Sequence, residues 1–221
     1  MRNIVAINVS PRKQGTSVTL LNRLKDELEQ RDNHVHIVHL YSHLKDLKPI
    51  FDAVNNVDTI VISGPTYSNT YPADTTRLLE ELAMHPEVLH GQNLYGIIQG
   101  GMPYAHTHIS GLNMLGIFAS KVNLRYKGGF IMGLGAILNG QPLSKLPNSK
   151  KVEHQLGIFF GHIANGEKSP SYVYEESFIK IPRFVVRMLA VLVNRKTDKE
   201  YAARGMDASQ SSPYLNDKIQ L

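Results

Sequence analysis

Residues 4–21 read IVAINVSPRKQGTSVTLL, and the change of character halfway along decides the fold. The first part is a short apolar run, broken only by Asn8, that suits a strand buried on both faces. The second part, Ser-Pro-Arg-Lys-Gln-Gly-Thr-Ser, is crowded with hydroxyls, backbone donors and positive charge. The third part starts a helix, with Val18, Leu21, Leu24 and Leu28 at helical spacing and charges between them. A polar turn between a buried strand and a helix N-terminus is a place for an anion, because free N–H groups and the helix dipole both favour negative charge there. Ser10, Thr16 and Ser17 offer hydroxyls, and Arg12 offers a charge-assisted clamp. A monoester phosphate suits that donor set. An ordinary capped helix start, with Thr16 or Ser17 as the N-cap, explains the same residues when the loop is read alone.

Two better-known phosphate loops do not match. G-x-x-x-x-G-K-[ST] needs a Lys before the hydroxyl, whereas Gly15 is followed by Thr16 and Ser17. The dinucleotide pattern G-x-G-x-x-G needs three glycines where this loop has one. Gly133-Leu134-Gly135 lacks the third glycine and leads into a Gly/Pro-rich stretch instead of a helix.

Further along, strands are predicted at 35–40, 58–63, 94–99 and 126–132, and helices at 18–30, 73–84, 109–122 and 151–164. Core strands apolar on both faces that alternate with helices imply a parallel sheet covered on both sides. Ligands in such sheets bind beyond the carboxyl ends of the strands. That rule brings together SPRKQGTS, the loop GPTYSNTYP after the strand at 58–63, and the loop GGMPYAH after the strand at 94–99. In the second loop Tyr67 and Tyr71 are expected as aromatic walls, with Thr66, Ser68, Asn69 and backbone amides supplying hydrogen bonds. In the third, Gly100 and Gly101 permit close approach, and Tyr104 and His106 would wall the other side. A phosphate on the first loop and a flat ring between the other two describe one flavin mononucleotide.

SPRKQGTS after IVAINV, PTYSNTYPA after DTIVISG, and Gly-Gly after LYGIIQ resemble the NADPH-dependent FMN reductases and flavodoxin-like NAD(P)H:quinone oxidoreductases over about residues 1–165. The resemblance implies a flavodoxin-like, doubly wound five-stranded parallel α/β sheet of order 2-1-3-4-5. It implies FMN as cofactor and NADPH or NADH as electron donor. It maps the phosphate onto Ser10, Arg12, Gly15, Thr16 and Ser17, and the isoalloxazine onto Pro65, Thr66, Tyr67, Ser68, Asn69, Gly100 and Gly101. Related iron–sulfur flavoproteins carry a cysteine cluster between the second and third strands. The corresponding YSHLKDLKPIFDAVNN has none. No catalytic side chain is singled out. The function expected is hydride transfer from NADPH through FMN to a quinone, flavin or similar small acceptor. The alternative is an FMN-binding electron-transfer or redox-sensing module without turnover.

Composition bounds the rest. With 42% hydrophobic and 19% charged residues the chain can bury a full core. The absence of cysteine excludes thiolate zinc sites, Cys-ligated iron–sulfur clusters and Cys nucleophiles. His34, His36, His39 and His43 have no carboxylate at ligand spacing, so no metal is expected. The net charge of +5 is mild. No acid lies between Glu87 and Glu153, whereas Lys121, Arg125, Lys127, Lys145, Lys150 and Lys151 do, a field that favours anionic small molecules. No nucleic-acid motif is visible, no stretch reaches the roughly 20 apolar residues of a membrane span, and the N-terminus lacks a signal-peptide pattern, so a cytoplasmic protein is expected. Two regions follow: an FMN-binding domain at 1–166, including a flexible insertion at 133–150, and a C-terminal helical extension at 167–221. Within the extension, IPRFVVRMLAVLVNRK is apolar enough to need a partner surface, and a homodimer is expected.

Overall fold

A computed structural model describes residues 1–178 and 183–206. Five strands, β1 (Asn3–Asn8), β2 (His34–His39), β3 (Thr59–Pro65), β4 (Asn93–Gln99) and β5 (Arg125–Met132), form one parallel sheet in the order β2-β1-β3-β4-β5. The flavodoxin-like order expected from the sequence is the order found. Every residue of β3 and β4 is buried, as a central strand covered by helices on both faces requires. Edge strand β2 alternates exposed histidine with buried valine over His34–Val35–His36.

Helix α1 (Thr16–Glu29) shows how the pattern becomes structure. Leu20, Leu21, Leu24 and Leu28 are buried against the sheet, each contributing about 1.5–3 kcal/mol by leaving water. On the solvent side Glu27 pairs with Arg31 at 2.7 Å and Lys25 with Glu29 at 2.6 Å, one turn apart. The remaining helices over the sheet are α2 (Lys48–Asn55), α3 (Ala73–Met84) and α4 (Ile109–Lys121). They are followed by α5 (Gly135–Leu138), α6 (Ser149–Asn165) and α7 (Tyr172–Glu175). Helix α2 was not expected. It spans two turns and buries only Ile50 and Val54, too narrow a stripe to register as a period.

The chain divides into two compact units, Met1–Ile179 and Lys180–Leu221. The first runs past Gly166 and takes in α7, where Val173 is fully buried. The Tyr95 hydroxyl donates to the Glu167 carbonyl at 2.6 Å, and the Ser169 N–H to the Lys127 carbonyl at 2.7 Å. In the second unit the described structure is one helix, α8 (Arg183–Ala203). Phe184, Met188, Val191 and Leu192 on it are all exposed. Ile181 and Pro182 of the apolar segment, and residues 207–221, lie outside the described residues. No described helix is long and apolar enough to cross a membrane.

Beneath the carboxyl ends of β3 and β4 sits Tyr71, which is 2% exposed. Its hydroxyl donates to the Ile97 carbonyl at 3.1 Å. Gly64, Gly96 and Gly111 surround the ring, and a methyl group on any of them would run into it or its neighbours. Tyr71 is therefore a core residue and not the cleft wall expected from the sequence. Its ring is drawn down by the apolar floor that those three glycines leave open.

Candidate functional site

The first loop leaves β1 at Asn8, whose buried side chain directs it. Asn8 Oδ1 accepts the Ser10 N–H at 3.0 Å, and Asn8 Nδ2 donates to His39 Nδ1 at 3.0 Å. Ser10 Oγ then accepts the Arg12 N–H at 3.2 Å. These are the side-chain-to-backbone bonds of successive tight turns. Helix α1 begins with Gly15 as N-cap, no side chain caps it, and its first turn holds no acid. The ordinary capped helix start is thus not what the chain builds. Thr16 Oγ1 donates to the Gly135 carbonyl at 2.8 Å instead. Among the described residues the N–H groups of Gly15, Thr16 and Ser17 find no acceptor, which leaves the helix N-terminus free for an anion.

A cleft of about 110 Å³, open to solvent, lies over the carboxyl ends of the strands. Its walls are Ser10, Arg12, Gly15 and Thr16 from the first loop, Pro65, Thr66 and Tyr67 from the second, and Gly100 and Gly101 from the third. Three further residues line it that the sequence reading did not name: Gln99, Ala136 and Asn139. Three named ones stand apart. Ser17 is buried behind the wall, where its hydroxyl accepts from Gln99 Nε2 at 3.5 Å. Ser68 and Asn69 form the tip of a tight hairpin, with φ of 49° and 69° and backbone bonds of 2.7 and 3.1 Å between Tyr67 and Thr70. That pair of left-handed residues is the turn that two adjoining strands prefer. It carries Tyr67, 48% exposed, to the cleft edge.

On the third loop Tyr104 and His106 stack on each other, centroids 5.5 Å apart, and neither lines the cleft. His108 is fully buried under it. Its Nδ1 lies 2.9 Å from the Tyr104 carbonyl, to which it donates, and its Nε2 has no partner. A side chain at Gly100 would collide with that nitrogen and with Thr66 Cγ2, so only glycine lets the third loop lie flat on the floor. Burial holds the His108 imidazole below the usual histidine range; the bond to Tyr104 opposes this and neighbouring His106 adds to it.

The basic residues of the acid-free window are divided by the fold. Lys121 ends α4 and Arg125 begins β5, at the amino edge of the sheet and away from the cleft. Lys145, Lys150 and Lys151 follow the segment that carries Asn139.

A flavodoxin-like sheet whose cleft meets unpaired N–H groups at a helix start suits a mononucleotide. Residues 2–115 match the model of a family described as NADPH-dependent FMN reductase, and the chain belongs to that family. Membership makes it a flavin-dependent oxidoreductase with FMN as cofactor and NAD(P)H as electron donor. No curated protein matches the sequence. Among solved structures, the apo form of an NADH:FMN oxidoreductase (EMOB) is similar at 21% identity and a TM-score of 0.60, over 84% of this chain and 99% of that one. A flavodoxin of Streptococcus pneumonia TIGR4 aligns at 13% identity and a TM-score of 0.54, over 74% and 99%. A flavone reductase aligns at 12% and 0.55, over 76% and 66%. At these identities the likeness is one of fold.

The residues present fit the cofactor. Unpaired N–H groups and Arg12 meet the needs of a phosphate, and Gln99 Oε1, buried beneath the cleft, has no partner. Gln99 escaped notice in the sequence because it closes an apolar strand, and the only signal was a polar residue just before Gly-Gly.

The burial of His108 has a measurable consequence. The folded chain favours the neutral ring, so this group's contribution to stability is present above its ordinary pKa of 6.5 and is lost as pH falls through the lowered folded value. Without added flavin, unfolding free energy is expected to fall by up to about 1.4 kcal/mol per pH unit from His108 alone between pH 6.5 and the lowered folded value, and to level off below it. Paired urea titrations of wild type and His108→Gln at neutral and mildly acid pH should show a shallower pH slope in the variant. Equal slopes would assign the loss to other groups.

Proposed function

We propose that residues 1–166 hold FMN with its phosphate on the first loop and its ring between the second and third. From there the chain passes electrons from NADPH to a quinone, a free flavin or a similar small acceptor. The observation that carries the reading is the cleft itself: donors without acceptors at one end, and Pro65, Thr66, Tyr67, Gly100 and Gly101 at the other. In this reading the N–H groups of Gly15, Thr16 and Ser17, the Ser10 hydroxyl and the Arg12 guanidinium bind the phosphate. Thr16 acts through its backbone, since its hydroxyl proton is committed to Gly135. Tyr67 covers one edge of the ring, while Ser68 and Asn69 hold the turn that places it. Gly100 keeps the opposite floor flat.

Bound FMN supplies the two-electron chemistry, and the protein supplies orientation and electrostatics. The open rim beside Tyr67 leaves room for a donor to leave and an acceptor to enter the same face in turn. Lys145, Lys150 and Lys151, on the segment after Asn139, favour the more highly charged NADPH over NADH. Purified protein reconstituted with FMN and desalted is expected to keep a flavin band. NADPH added without oxygen should bleach it within seconds, and menadione should restore it through many turnovers. A band that neither nicotinamide bleaches would leave an electron carrier or sensor. Failure to retain flavin would remove the site.

We propose also that α8 assembles two copies, since Phe184, Met188, Val191 and Leu192 are apolar, exposed and share one face of the helix. Light scattering should give about twice the 24.7 kDa of one chain, with Leu192→Glu shifting the population toward the monomer. A wild-type mass of one chain would exclude the assembly.

A further inference from the structure

The segment after β5, which the sequence marks as a flexible insertion, is a strap tied across the top of the first loop. Thr16 Oγ1 donates to the Gly135 carbonyl at 2.8 Å, Thr19 Oγ1 to the Gly140 carbonyl at 3.2 Å, and Arg12 Nη1 to Asn139 Oδ1 at 2.9 Å. On its other side the Ala136 N–H donates to the Gly100 carbonyl at 3.3 Å, and the Leu134 N–H to the Met102 carbonyl at 3.3 Å. Asn139 and Gly140 both take left-handed backbone, with φ of 46° and 86°. A Cβ at Gly140 would sit 3.5 Å from the Gly15 nitrogen, so the strap presses close to the free N–H groups that start α1.

The orientation of the Asn139 amide follows from its partner. A guanidinium only donates, so the atom facing Arg12 is the oxygen. The amide nitrogen is left without a partner among the described residues, beside a cleft that both Arg12 and Asn139 line. A free arginine loses side-chain entropy when it fixes an anion. One already held by an amide has lost much of it beforehand.

Building on the FMN reading above, we propose that Asn139 completes the phosphate site: its Oδ1 positions Arg12, and its Nδ2 donates to the phosphate itself. The family model matches residues 2–115, so the strap lies outside the matched region and its role is carried by the geometry alone. A monoester phosphate would then meet α1's N–H groups from below and Arg12 with Asn139 from above. Affinity for a flavin with a phosphate would depend on Asn139, and affinity for one without would not.

The test compares FMN with riboflavin by quenching of flavin fluorescence, in wild type, Asn139→Gly and Asn139→Asp. Both replacements accept the left-handed backbone, and urea midpoints within the scatter of wild type establish that the fold is kept. Asn139→Gly is expected to weaken FMN about tenfold or more, the loss typical of a hydrogen bond to a charged group, with riboflavin unchanged. Asn139→Asp keeps hold of Arg12 but sets a carboxylate against the phosphate, and is expected to weaken FMN further. Parallel losses for both flavins would make the strap a general wall and overturn the proposal. Unchanged FMN affinity in both variants, with wild type still preferring FMN to riboflavin, would overturn the role of Asn139 and leave the FMN reading standing. Wild type that binds neither flavin would overturn both.

Discussion

Backbone N–H groups without acceptors, gathered where α1 begins, set the terms for the rest of the molecule. A helix start usually meets such groups with a side-chain cap, and this chain does not supply one. It builds around them instead. Asn8, buried in the last position of β1, spends its amide on the Ser10 N–H and on His39, which bends the chain out of the sheet. Ser10 repeats the device on Arg12. Thr16, the residue most able to satisfy the helix start, turns its proton to the strap. The site is therefore held open by hydrogen bonds made elsewhere.

Rigidity below the cleft serves the same end. Tyr71 is anchored to the Ile97 carbonyl and ringed by glycines. Its hydroxyl reaches carbonyls of both β3 and β4, at Ile62 and Ile97, a few residues before the second and third loops depart. His108 plays the matching part under the third loop, its ring held by the Tyr104 carbonyl and its other nitrogen buried without a protein partner. Binding residues carried by loops gain precision from such supports, and here the supports are buried aromatic rings placed against backbone that only glycine allows.

The sheet was legible because its signals are local: β3 and β4 are unbroken apolar runs, and α1 repeats leucine at helical spacing. The first loop was legible for the same reason, as hydroxyls, Arg12 and Gly15 fall within one turn of a helix start. Tyr71 was misread because an aromatic residue in a polar loop looks alike whether it faces a ligand or dives into the core. Helix α2 was missed because two buried residues make no period. The strap stayed hidden for a different reason. Its ties to Arg12, Thr16 and Thr19 span 127, 119 and 121 residues, and nothing local in GLGAILNG announces them.

Phosphorus NMR of the FMN-loaded protein, followed from about pH 5 to about pH 8, tests most directly the claim that α1's free N–H groups hold a phosphate. The second ionisation of a free phosphate monoester lies near pH 6. Donors fixed around the dianion should hold it ionised through that range, so the account expects a bound resonance whose position does not move with pH. A bound resonance that titrates as free FMN does would place the phosphate in solvent and contradict the account.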